Sequence, residues 1–263
     1  MEILGYAASV LIGISIGLIG AGGSILAVPI LVYLFSVNPQ LATSYSLLIV
    51  GITSFLGAIR HYTLGNLHFR TAILFAIPSV GTLLLVRHYI LPVIPEHIIS
   101  LGNYDLTKDT FLMVVFAVLM LAASFSMIKR PAGQSVGSVD PDVFRIVLLG
   151  IGVGVVTGFL GAGGGFLIIP ALIFFAGLPM KQAVGTSLLI IFLNSIIGFS
   201  GDLIKGVQLD FQLLISVTLI AIIGMFIGTQ LSKKIAGEKL RPAFGWFVLI
   251  MGIYIIFREL FYK

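Results

Sequence analysis

Two glycine clusters are the residues of this chain whose type and spacing could do chemistry. The first reads Gly17-Leu18-Ile19-Gly20-Ala21-Gly22-Gly23-Ser24 and continues to Pro29; the second reads Gly158-Phe159-Leu160-Gly161-Ala162-Gly163-Gly164-Gly165 and continues to Pro170. Glycine tolerates positive φ, and successive N–H groups in such a turn, followed by a helix N-terminus, form a concavity of positive partial charge that suits an anion. Ser24 adds a hydroxyl to the first cluster, where Gly165 has none. Nine of the 31 glycines fall in these two stretches. Elsewhere small residues recur four apart, as Ser9, Gly13 and Gly17 and again as Gly150, Gly154 and Gly158, which is the spacing of close helix packing. The contiguous runs exceed what packing needs, so binding or gating is the sharper reading for Gly20–Ser24 and Gly161–Gly165.

Other polar residues within apolar stretches are few. Thr43, Ser44 and Ser46 stand in the first half where Gly185, Thr186 and Ser187 stand in the second, and Thr53 and Ser54 correspond to Asn194 and Ser195. Such hydroxyls commonly bond back to the carbonyl of the preceding turn. Their duplicated position nevertheless makes Ser46, Thr186, Ser187 and the mid-span amide Asn194 the side-chain donors to expect beside a bound oxyanion. Arg60, His61, Asp202 and Lys205 lie at span ends, where they snorkel or serve coupling and recruitment of an ion; His61 corresponds to Asp202. His68, His88 and His97 lack metal-ligand spacing, and the loop carboxylates form no acid–base pair. There is no cysteine, phosphate-cradling G-x-x-x-x-G-K-[ST] loop or H-E-x-x-H pair. No enzyme, metal site or cofactor is expected, and nothing supports ATP-driven pumping by this chain alone.

The elements that must hold these residues are set by composition. The chain has 263 residues, 59% hydrophobic and only 10% charged, with mean hydropathy +1.17. A soluble domain carries about a quarter charged residues, so the solvent here is lipid. The net charge of +5 has no Lys/Arg stripe interleaved with aromatics, which excludes a nucleic-acid partner and assigns the basic residues to loops. Measured against the roughly 20 residues that span a bilayer, spans run over Leu41–Tyr62, Phe69–Ile90, Thr110–Ile128, Ala183–Ile204, Phe211–Leu231 and Phe244–Phe257. Ile3–Val37 and Val143–Leu178 are too long for one span and are interrupted at their glycines.

A spacing of 141 residues joins the clusters, and without a gap it also pairs Ala42 with Ala183, Ser46-Leu47-Leu48-Ile49 with Ser187-Leu188-Leu189-Ile190, Gly57 with Gly198 and Gly65 with Gly206. The chain is therefore read as a tandem duplication: repeats 1–128 and 143–263 around a polar, Gly/Ser/Pro-containing linker at 129–142. If each long segment crossed once, Lys and Arg would divide eight to seven between the faces. If each folds back at its glycines, ten of the 15 fall on one face, so the positive-inside rule predicts the fold-back, termini outside and the linker in the cytoplasm. The expected fold is an all-α polytopic membrane protein, an inverted repeat whose first helices are re-entrant or split, with both glycine breaks facing each other at the bilayer midplane.

The doubled G-x-x-G-A-G-G-[SG]-x-x-x-x-P element at Gly17–Pro29 and Gly158–Pro170, with Ala183-Val184-Gly185-Thr186-Ser187 downstream, resembles the TauE/SafE family of sulfite exporters and anion permeases over nearly the whole chain. The resemblance implies a multi-pass prokaryotic cytoplasmic membrane protein that moves sulfite, sulfonates or related anions, coupled to a proton or sodium gradient. The first half departs from the pattern: Thr43-Ser44-Tyr45-Ser46 replaces Val184-Gly185-Thr186-Ser187, which makes Tyr45 a candidate for selectivity. The expected partners are a small anionic substrate and the bilayer. A channel-like uptake permease for thiosulfate or a sulfonate is the alternative, and a membrane assembly or metal-handling factor is disfavoured by the missing cysteines. Oligomeric state is not legible.

Overall fold

The computed structural model describes residues 2–20, 22–101, 104–129, 143–160, 165–204, 206–235 and 237–261. The order of elements is α1 (Glu2–Ile19), α2 (Gly22–Leu34), α3 (Pro39–Thr63), α4 (Phe69–Leu85) continued by a π-helical turn (Val86–Ile90), β1 (His97–Leu101), β2 (Tyr104–Thr107), α5 (Lys108–Lys129), α6 (Val143–Leu160), α7 (Gly165–Phe175), α8 (Met180–Ile204), α9 (Phe211–Lys234) and α10 (Gly237–Phe261). Five helices among the described residues, α3, α4 with its π turn, α5, α8 and α9, are long and apolar enough to cross a membrane. The antiparallel β1–β2 ribbon is the departure from an all-helical chain. It occupies the connection between α4 and α5, beyond the end of the apolar run.

The helices are sorted by lipid and interior rather than by water and core. On α9, Leu214, Val217, Ala221 and Met225 are fully buried, whereas Ile215, Leu219, Ile223 and Phe226 are exposed; both stripes follow the helical period, and the outer one is apolar because lipid covers it. Helix starts carry local caps. Asn38 Oδ1 accepts from the Gln40 N–H ahead of Pro39, and Asp210 Oδ1 accepts from the Leu213 N–H, each satisfying an orphan donor.

Local geometry recurs at the sequence spacing of 141. Val37 N–H bonds to Leu31 C=O and Leu178 N–H to Leu172 C=O; Gly65 N–H bonds to Tyr62 C=O and Gly206 N–H to Leu203 C=O. Positive φ values recur as well, at Ser36 and Gly177 and at Gly65 and Gly206, where each chain leaves its helix through a left-handed residue.

Contacts between helices fix their directions. Along α3 and α8, Ser44 meets Asp202, Gly51 meets Ser195, Gly57 meets Leu188, His61 meets Gly185, and Phe55 and Phe192 stack at 4.7 Å. Numbers rise on one helix as they fall on the other, so the pair is antiparallel. Gly13 and Gly17 press on Ala221 and Met225 of α9, while Gly154 and Gly158 press on Ser79 and Leu83 of α4; here both numbers rise, so α1 is parallel to α9 and α6 to α4. Asn194 bonds to Ser79 and Arg87 to Asp202, which makes α4 parallel to α8. α1 and α2 form an antiparallel hairpin, with Tyr6 against Phe35 and Gly23 against Ile12 and Ile16. α1 thus runs with α3 and against α6. α5 and α10 pack on each other at the periphery.

Candidate functional site

The antiparallel α3–α8 pair is the interior seam. Ser46, Ser54, Gly57 and His61 recur at helical spacing on one side of α3, as Ser187, Ser195, Gly198 and Asp202 do on α8. Ser54 and Ser195 fall near the middle of the pair. Ser46 and Ser187 lie towards opposite ends, about 20 Å apart along the axis at 1.5 Å per residue.

Polar atoms in this seam lack partners. Ser46 Oγ, Ser54 Oγ, Ser195 Oγ, Asn194 Oδ1 and both ring nitrogens of His61 are buried and have no hydrogen-bond partner among the described residues. Burying an unpaired polar group costs about 1–3 kcal/mol, and a cluster of them on facing helices marks an interior suited to water or a polar ligand. Other hydroxyls are satisfied locally. Ser187 Oγ donates to Val184 C=O at 2.8 Å and Thr53 Oγ1 to Ile49 C=O at 2.7 Å. Thr186 Oγ1 accepts from the His68 N–H at 3.0 Å, tying α8 to the start of α4. Asn194 Nδ2 donates to Ser79 Oγ at 2.8 Å, leaving only its carbonyl oxygen unpaired. Tyr45 Oη accepts from the Asp210 N–H at 2.6 Å, so the residue that departs from the repeat secures the entry to α9.

Gly20 ends α1 at φ +81°, and a Cβ there would meet Val184 Cγ1 at 2.9 Å and Ser187 Oγ at 3.1 Å. The first glycine turn therefore abuts α8 about 10 Å from the seam's middle, towards the end where α8 begins. α2 starts at Gly22 and includes Gly23 and Ser24, so its N-terminal amides open at this level. Gly20, Thr186, Ser187 and His61 are brought together near this end, whereas Ser46 lies near the other. Ala21, Gly161, Ala162, Gly163, Gly164 and Lys205 lie outside the described residues, as does most of the 129–142 linker; Gly165 is the first residue of α7.

Each end of the seam opens into a cavity. One, about 290 Å³, is lined by His61, Leu64, Asn66, Lys181, Thr229, Ser232 and Lys233; Arg60 is half-buried beside His61. The other, about 350 Å³, is lined by Gly81, Leu84, Leu85, Arg87, His88, Tyr89, Gly198, Gly201 and Asp202. His61 and Asp202 stand 141 residues apart, the spacing at which the local geometry recurs, one at each cavity. In the second, Arg87 Nη2 lies 2.7 Å from Asp202 Oδ2, with both side chains buried. Arg87 also donates to Thr43 Oγ1 and Ser44 Oγ, and Ser44 Oγ donates to Asp202 at 2.6 Å.

Arg87 is the buried charged residue that sequence reasoning missed. It stands three residues before the end of a predicted span, where snorkelling explains a cation, and its repeat counterpart is uncharged. The π turn at Val86–Ile90 re-aims it into the bundle, as such one-residue bulges do. Among the described residues no group of three or more His, Cys, Asp or Glu could hold a metal.

A probable membrane transporter protein of Xylella fastidiosa (strain 9a5c) is 31% identical over 256 residues, which cover 95% of this chain and 92% of the relative. The probable membrane transporter protein YdhB of Bacillus subtilis (strain 168) is 28% identical over 247 residues, covering 94% and 97%. No solved structure matches significantly. Residues 5–255 match the family described as Sulfite exporter TauE/SafE. With spanning helices, a polar interior and whole-length likeness to membrane transporters, the chain belongs to the TauE/SafE sulfite exporter family of membrane transporters.

Proposed function

We propose that this membrane transporter is a secondary exporter of small sulfur-containing or organic oxyanions such as sulfite or sulfonates, and that it works by alternating access along the α3–α8 seam. The observation that carries the reading is the set of unpartnered buried hydroxyls between two cavities, those of Ser46, Ser54 and Ser195. Hydroxyl donors can replace water around an anion without a buried cation at the middle of the path. The N-terminal amides of α2 at Gly22–Ser24, beside Thr186 and Ser187, form the half-site near His61, with Gly20 supplying the turn, its own N–H being bonded to Ile16 C=O; the repeat assigns Gly161–Gly165 with Ser46 to its counterpart.

The two halves form an inverted repeat. Supporting this are the antiparallel α3–α8 pair, in which repeat-equivalent contacts change places (Ser44–Asp202 and His61–Gly185; Leu47–Gly198 and Gly57–Leu188), and the opposite directions of α1 and α6. Rocking one half against the other then alternates access. Arg60, Arg70, Lys129, Arg145, Lys181, Lys233 and Lys234 fall on the face where α3 and α9 end, against Arg87, Lys108 and Arg258 on the face where they begin. The first face is cytoplasmic and the termini are outside. His61 and Asp202, at opposite ends of the seam, are the coupling positions, with Arg60 and Lys205 recruiting the anion.

Counterflow of labelled sulfite in proteoliposomes tests the reading. A carrier accumulates label against a preloaded pool. Flux without counterflow identifies a channel-like uptake pathway, and no flux with sulfite, thiosulfate or sulfonates overturns the substrate class.

A further inference from the structure

The two cavities at the ends of the seam differ in charge. The His61 cavity places Lys181 and Lys233 at its rim. The other buries an arginine and a carboxylate against each other and is otherwise walled by Leu84, Leu85, His88 and Tyr89 and by three glycines. A Cβ on Gly81 meets nothing within 4 Å, and one on Gly201 meets only the end of Leu84 at 3.5 Å; Gly81, Leu84, Leu85, His88 and Tyr89 are exposed, so the space beside the buried ion pair opens on the outer face of α4 and is not filled by packing.

Within that cavity Asp202 is itself an oxyanion held by a guanidinium and a hydroxyl. Ser44 donates to Asp202 at 2.6 Å independently of Arg87, so the carboxylate keeps a donor if the arginine turns away. A buried charge pair gives up most of its solvation on leaving water, and taking one partner away leaves the other's charge uncompensated unless another charge takes its place. An arriving anion supplies that charge. We infer that Arg87 is an anion-binding residue at the outer end of the transport path, that Asp202 occupies its guanidinium in the unloaded state and is exchanged for the transported anion, and that the apolar walls select an oxyanion carrying a short organic tail over bare sulfite. This rests on the anion-transport reading and adds to it a substrate class and a site. No bond is made or broken; the anion takes the contact to Arg87 that Asp202 gives up.

The assignment predicts effects of opposite sign from the two partners. Asp202→Asn keeps the shape and removes the competing charge, so butanesulfonate affinity, measured by calorimetry on the full-length protein in detergent, rises by about tenfold or more, the scale of one displaced charge contact. Arg87→Gln in that background removes both charges, avoids an unpaired buried ion, and abolishes butanesulfonate binding. Gly81→Val fills the cavity without a collision and weakens butanesulfonate at least tenfold while sulfite binding changes less than twofold. Equal affinities in wild type, D202N and R87Q/D202N overturn the exchange, as does the absence of butanesulfonate binding in all three. Loss of selectivity for the tail in wild type overturns the substrate class. Sulfite counterflow on the same preparations separates the two readings: persisting flux with unchanged affinities removes the Arg87 site and leaves the transporter standing, while absent flux removes the transporter.

Discussion

At the scale of single residues, a structural role and a transport role predict different costs. Asn194 is fully buried and holds Ser79 across to α4. Asn194→Ala removes that bond, lowering stability by about 1–2 kcal/mol in a thermal melt and cutting sulfite flux as well. Gly20 and Gly65 share a positive φ, but only Gly20 has neighbours in the way. Gly65→Ala costs about 1 kcal/mol of backbone strain; Gly20→Val adds a collision with Val184 and a β-branched side chain at positive φ, for a loss of about 3 kcal/mol or more. Melting both variants in detergent separates strain from contact. Asn194 and Ser46 as buried polar positions, and Gly20 as a left-handed turn, were legible because polar residues and glycines recur at the 141-residue spacing. Arg87 was not, because the repeat breaks there and charge at a span end has an ordinary explanation. The partners of Thr186, Ser187 and Tyr45 were not legible either, since a hydroxyl's acceptor depends on which helix lies next to it.

At the scale of elements, small-residue spacing announced helix packing but not who packs with whom. Gly13 and Gly17 of α1 interlock with Gly224 and Gly228 of α9, each glycine against the other helix's backbone. Gly13→Leu drives a side chain into the Ala221 carbonyl, and stability falls by about 3 kcal/mol or more, as overpacked sites do. Gly152 shares a helix with Gly150 and Gly154 but has nothing within 4 Å of its Cβ position. Gly152→Leu therefore stays within about 0.5 kcal/mol of wild type. Equal melting shifts for the two variants would contradict the packing. Spans were legible from hydropathy because the bilayer imposes length; the β1–β2 ribbon was not, because its residues lie beyond the apolar run and carry no such constraint.

At the scale of the whole molecule, transport along this path requires that α3 and α8 lie antiparallel, with hydroxyl donors turned inward and unpaired. Because the chain has no cysteine, a pair introduced at Gly51 and Ser195, where a Cβ on Gly51 lies 3.1 Å from the Ser195 Cβ, close to the separation a disulfide needs, reports the arrangement directly. Oxidation joins the two cysteines if α3 and α8 face each other as described, and separate cysteines after oxidation would rule the pairing out. The triple variant Ser46→Ala, Ser54→Ala, Ser195→Ala tests the central claim most directly. Those hydroxyls have no partner among the described residues, so deleting them relieves buried unsatisfied groups and leaves the melting temperature equal or higher. Sites that serve function trade stability for it, and labelled sulfite counterflow should fall at least tenfold in the same preparation. Wild-type flux in the triple variant would contradict the account.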